Sequence, residues 1–310
     1  SVPLPACTVG RRVIIPKSLP ATEASRVRLD LARHLIERCP PALSRETAVT
    51  GSVARGMADH YSDVELNLWV DDAPEPEQWR AWLDAAGATD LTPDNWDADT
   101  CHFRWTTCRF EGVWIEVGWA PIDQFDTFVR DLAGGAFGDH ERLQMGWTVQ
   151  QAIPLRTDGR LAGWQARLAT YPAGLAERVV ANQTTVWSDP HVPGVRWGLA
   201  ARGERMGLAL RFVWDMQNLL RVLFAVNHQW DHDLKWTNER SLDLPIKPGD
   251  LSARIDAMFT LTDLAQCVEI NQRLIVETLE LAAGQGFAVF DALHSMREGL
   301  RVGLELTGRQ

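Results

Sequence analysis

Gly51-Ser-Val-Ala-Arg-Gly-Met-Ala-Asp-His-Tyr-Ser-Asp-Val-Glu-Leu-Asn-Leu-Trp-Val70 is the stretch on which the reading of this chain turns. From residue 63 onward its apolar residues alternate. Val64, Leu66, Leu68 and Val70 are interleaved with Asp63, Glu65, Asn67 and Trp69. That period of two predicts a strand, and it puts Asp63 and Glu65 on one face. Upstream, Thr47–Thr50 predicts a short strand that runs into the Gly51-Ser52 turn. A strand followed by Gly-Ser aims backbone N–H groups and a hydroxyl at one point, which suits an anion and above all a phosphate. Two neighbouring carboxylates repel and call for a counter-charge. Mg²⁺ supplies it, sharing its coordination with triphosphate oxygens.

Working outward, residues 22–38 predict a helix with Thr22 as N-cap, ended by Pro40-Pro41. A tryptophan-rich helix is expected over 74–86, strands over 100–110 and 113–119, and a tight hairpin turn at Glu111-Gly112. In the last of these strands, Val113-Trp-Ile-Glu-Val117, alternation places Trp114 and Glu116 on one face. A carboxylate in such an apolar strand is otherwise costly. A helix over 122–132 closes this half. Beyond about residue 155 the pattern becomes helical: 161–170, 173–186, 199–229 with glycines at 203 and 207, 251–283 and 287–304. Residues 188–197, with Pro190, Pro193 and Gly194, read as a loop. The expectation is therefore an α+β domain over 1–155, a mixed sheet flanked by helices, and an all-helical domain over 156–310.

Gly-Ser, ten residues, then Asp-x-Glu on an apolar strand resembles the nucleotidyltransferase superfamily that includes DNA polymerase beta. Gly51-Ser52-x-x-Arg55 followed by Tyr61-Ser62-Asp63-Val64-Glu65 is similar to its kanamycin (aminoglycoside) nucleotidyltransferase branch. The resemblance covers about twenty residues. It implies a third carboxylate on a neighbouring strand, for which Glu116 fits and Glu111, in the turn, competes. It implies two Mg²⁺ ions held by Asp63, Glu65 and Glu116, with Gly51, Ser52, Arg55 and Ser62 around the nucleotide. From the helical half it implies a phosphate-binding lysine and an acidic general base. Lys17, Lys235 and Lys247 are the chain's lysines, and Trp230-Asp-His-Asp-Leu-Lys-Trp236 offers Lys235 with Asp231, or Asp233, as the base. Asp215, inside an apolar run, is expected to be paired or to line a pocket. Trp187 and Trp197 are candidates for stacking or for core. His228 and His232 fit a helix end better than a metal site.

The implied activity is transfer of a nucleoside monophosphate, AMP from Mg·ATP, to a hydroxyl of a small molecule such as an aminoglycoside-type antibiotic or a sugar-containing natural product. The alternatives are transfer to a macromolecule, a tRNA end or a protein side chain, and a nucleotide-binding regulator without turnover. A net charge of −10 argues against a broad basic face for long nucleic acid. Five cysteines (7, 39, 101, 108 and 267) fit no zinc spacing and read as reduced thiols. The expected location is cytoplasmic. The N-terminal residues lack a basic region followed by an apolar core, and no run of about 18 apolar residues suggests a span. A monomer or homodimer is expected.

Overall fold

A computed structural model describes residues 10–13, 21–93, 95–97, 103–238 and 242–309. Cys7, Cys101 and Lys17 lie outside them. The chain divides into two compact units, Lys17–Thr170 and Tyr171–Gln310 with Ser1–Pro16. The first is α+β and the second is helical, the fold class expected.

In the α+β unit α1 (Glu23–Glu37) leads into β1 (Glu46–Val49), the single turn α2 (Gly51–Ala54), β2 (Val64–Val70) and α3 (Pro76–Ala86). Then follow β3 (Asn95–Asp97), β4 (Phe103–Phe110), β5 (Val113–Pro121), α4 (Ile122–Ala133), α5 (His140–Gln151), β6 (Ile153–Arg156) and α6 (Arg160–Leu168). Thr22 caps α1, its hydroxyl accepting from Ser25 N–H at 3.1 Å. The six strands run in the order β3-β4-β5-β2-β1-β6. The β2–β5 pairing is parallel and the others are antiparallel. Glu111 and Gly112 both have positive φ, 49° and 81°, as a two-residue type I′ hairpin requires.

One sheet face is wholly covered. Val64, Leu66, Leu68, Ile115 and Val117 pack there with Leu31, Leu35, Trp79 and Leu83 from α1 and α3. The other face is covered at one end only, where Trp69 meets Phe125 of α4 and Trp164 of α6 at ring separations of 5.1 and 5.0 Å. At its other end stand Glu65 and Asn67, neither fully buried.

The sequence placed the domain boundary at 155/156, whereas the units divide at 170/171. The buried carboxylate of Glu46 explains the difference. It accepts the N–H groups of Asp158, Arg160 and Leu161 at 3.0, 3.3 and 3.2 Å, capping α6 from inside the sheet. Trp164 Nε1 donates to Asp126 at 2.6 Å. Residues 157–170 thus belong to the α+β unit. Helix α5 and strands β3 and β6 had no counterpart in the sequence reading.

The helical unit contains α7 (Leu175–Thr184), α8 (Val192–Ala201), α9 (Arg205–Val226), α10 (Leu251–Thr260), α11 (Leu264–Gly284) and α12 (Phe290–Thr307). The loop expected over 188–197 is incorrect from residue 192 on. Pro193 sits in the first turn of α8, where its missing N–H costs nothing, and Arg196 and Trp197 face inward. Gly203, at φ +73°, ends that run, while Gly207 stays inside α9. Asp215 is paired. Fully buried, it accepts Arg196 Nε at 2.6 Å and Nη2 in a two-pronged contact, and Trp187 Nε1 at 3.1 Å. No helix among the described residues is long and apolar enough to cross a membrane.

Two predictions follow from these interiors. Asp215→Ala strands the Arg196 charge and should cost about 3–5 kcal/mol in urea unfolding. The Arg196→Met/Asp215→Leu pair should recover most of that, and an equal loss in the double variant would contradict the account. Burial pushes the Cys39 and Cys108 thiols up to about 11 from 9.0. The fold favours the protonated form, so this stabilisation is complete below about pH 9 and is lost as pH rises towards 11. Unfolding midpoints measured from pH 7 to 11 should fall in that window, less steeply for Cys108→Ala.

Candidate functional site

The site is built on the parallel β2–β5 pairing. Its register sets Val64 beside Ile115 and Glu65 beside Glu116. In parallel strands such partners leave the same face. Asp63 precedes β2 by one residue and shares that face with Glu65. All three predicted carboxylates therefore come to one end of the open sheet face, on its two central strands. Asp63 and Glu116 open onto a cavity of about 750 Å³ that Arg28, Thr107, Arg109 and Trp114 also line.

Glu65 faces the Gly51 turn. A Cβ on Gly51 would stand 2.5 Å from the Glu65 carboxyl carbon, and Gly51 has φ +61°. Any other residue here would be strained by the positive φ, and the Glu65 carboxylate would have to shift to admit its side chain. Thr50 N–H donates to the Glu65 carbonyl at 2.9 Å, and Thr50 Oγ1 lies 3.4 Å from Glu65 Oε2. Asn67 Nδ2 in turn donates to Thr50 Oγ1 at 2.6 Å. Ser52 is buried within α2. Arg55 Nε donates to the Gly51 carbonyl at 3.2 Å, bracing the turn from its far end.

The approach to Asp63 is held by α1. Thr22 Oγ1 donates to the Ala58 carbonyl at 2.6 Å, and Ala58 N–H donates to Ser25 Oγ at 2.9 Å. Arg28 Nε and Nη2 donate to the carbonyls of Ser62 and His60, at 2.7 and 3.0 Å. Asp59 closes the loop by accepting from Tyr61 N–H and Ser62 Oγ, each at 2.9 Å. The Ser62 hydrogen bond, most of all, keeps the Asp59 carboxyl below its usual range. Ser62 thus shapes the loop. The roles of Thr22, Ser25 and Arg28 were not anticipated. No pattern in the sequence marks Arg28, and only its burial gives it away.

Asp231 and Lys235 belong to the helical unit. Asp231 is fully buried, with Arg221 Nε 3.1 Å from its Oδ2. The Tyr171 hydroxyl is held well above its usual range by burial and by the Asp231 charge. Asp233 accepts Lys235 N–H at 2.9 Å, and the Lys235 side chain is exposed. Trp187 and Trp197 are core. Their indole N–H groups donate to Asp215 and to Gln272, each a buried partner. His232 stacks on Phe224 at 4.2 Å and bonds Gln229. Burial, with Arg11 adding to it, holds His228 below the usual imidazole range. Among the described residues no three His, Cys, Asp or Glu side chains converge into a ready metal cage. The three carboxylates share one end of the face without closing around a point.

No family model matches the chain, and no curated protein matches it in sequence. Among solved structures the chain is similar to a nucleotidyltransferase-like protein from Exiguobacterium sibiricum. The two are 12% identical over 91% of this chain and 77% of that one, with a TM-score of 0.34.

Gly51→Ala should destabilise the α+β unit by about 1–3 kcal/mol through its positive φ and its approach to Glu65. In a Glu65→Ala background the same change should cost measurably less, because only the backbone term remains. Strict additivity in that double-mutant cycle would disprove the close approach.

Proposed function

We propose that the protein is a nucleotidyltransferase that moves a nucleoside monophosphate, AMP from Mg·ATP, onto a hydroxyl of a small molecule. The observation that carries this reading is the β2–β5 register, which sets Glu116 beside Glu65 with Asp63 on the same face, next to the Gly51-Ser52 turn. Mg²⁺ is commonly held by one or two carboxylates together with phosphate oxygens, so an open group of acids fits it better than a closed protein cage would. Asp63, Glu65 and Glu116 would hold the metal. When bound, it neutralises triphosphate charge and makes the acceptor hydroxyl more acidic.

In the reaction the acceptor oxygen bonds to the α-phosphorus as the bond to pyrophosphate breaks in line. The hydroxyl proton passes to a general base or to water. Thr50 Oγ1 reaches the Glu65 carboxylate, and glycine at 51 leaves that carboxylate the room it occupies beside the turn. Arg28 fixes the main chain leading into Asp63. The chain's net charge of −10 suits a hydroxyl-rich acceptor of the aminoglycoside or sugar-containing class, in resistance or in biosynthesis.

The test is incubation with each nucleoside triphosphate, Mg²⁺ and a panel of hydroxylated acceptors, read by pyrophosphate release and product mass. Turnover should appear, stop with chelator, and fall by about 10²–10³-fold or more in Asp63→Asn and Glu116→Gln, with unchanged unfolding midpoints. Absence of turnover with every acceptor, or full activity in Asp63→Asn, would refute the assignment.

A further inference from the structure

The chain carries fourteen tryptophans. Among the described residues Trp114 and Trp214 are the two exposed ones. Trp114 is the one at the polar end of the sheet face. It precedes Glu116 by two residues on β5, so both leave the same face. Continuing the β2–β5 register from Val64 and Ile115 by one residue puts Asp63 alongside Trp114. On the other side Arg109 is its cross-strand partner on β4. The row across the sheet therefore reads Asp63, Trp114, Arg109, next to the row Glu65, Glu116, Thr107. The indole and both outer carboxylates line the same cavity.

An exposed indole beside two acids calls for an explanation, and its other neighbour supplies one. The Arg109 guanidinium lies 4.6 Å from the ring centroid. Asp90 lies 3.6 Å from that guanidinium, and main-chain bonds between Arg109 and Thr89, at 2.7 and 2.8 Å, hold the backbone that carries it. Ordering a large apolar ring and a cation on an open face is costly unless something stacks there. The guanidinium already uses the attraction of the ring for cations and repels a second positive charge. A cationic acceptor is therefore a poor occupant, whereas a neutral planar heteroaromatic ring is a good one.

We propose that Trp114, backed by Arg109, is the platform on which the nucleobase of the triphosphate stacks, so that it selects nucleotides by ring area. This rests on the nucleotidyl-transfer reading of the same site. Purines overlap an indole more fully than pyrimidines do, so ATP and GTP should bind more tightly than UTP and CTP.

Calorimetric titration of the full chain with Mg·ATP and with magnesium inorganic tripolyphosphate tests it, without turnover being needed. Trp114→Ala should raise the Kd for ATP about 10- to 100-fold and leave tripolyphosphate binding unchanged. Trp114→Phe should restore most of the affinity. Arg109→Ala should weaken ATP less than Trp114→Ala does. Equal losses for ATP and tripolyphosphate, or an unchanged ATP Kd with a raised acceptor KM, would overturn the proposal and leave nucleotidyl transfer standing. Wild-type protein that binds neither probe would instead remove the nucleotidyl-transfer reading itself.

Discussion

The parallel pairing of β2 with β5 is the constraint on which the α+β unit depends. Every other contact in this sheet is antiparallel, so this single seam is the one that no hairpin can close and that needs a longer connection. The excursion from β2 to β5 carries α3, β3 and β4, and it delivers Glu116 beside Glu65. A parallel register is set by what packs on both faces. Leu66, Leu68, Ile115 and Val117 lock it from the covered side. A slip of one residue would turn these outward and bury the acids, at a cost of several apolar side chains.

The same seam explains why the acids tolerate each other. They stand at the open end of a face whose far end is filled by Trp69, Phe125 and Trp164. Carboxylates at the aromatic end would lose their hydration, while at the open end they keep water until a cation arrives. The fold thus separates a dry half-face, which supplies cohesion, from a wet half-face, which carries the chemistry. Glu46 uses the reverse logic. Its carboxylate is buried, but three main-chain donors meet it there.

Much of this was legible in the sequence because it follows from period two. Val64–Val70, the Glu111-Gly112 turn and the facing of Glu116 all come from alternation, and glycine at 51 comes from its place between a strand and a serine. What could not be read depends on partners far away in the chain. Pro193 and Gly194 suggested a loop, yet the Arg196–Asp215 pair and the packing of Trp197 favour a helix there. Gly299 and Gly303 of α12 leave no room for a side chain against Pro193 and Trp197 of α8. Residues 157–170 looked like the start of a helical domain until Glu46, more than a hundred residues earlier, was seen to cap them. The clamp of Arg28 on two carbonyls leaves no pattern at all.

The two-residue turn between β4 and β5 has a consequence for how this site can change over generations. It is the shortest connection that lets Phe110 face Val113, and it sets the phase of β5. One added residue there would not merely lengthen a loop. Unless a bulge took it up, it would advance the strand by half a pleat, presenting Ile115 or Val117 where Glu116 stands and turning the acid towards the core. The length of that turn and the facing of the acid are therefore a single constraint.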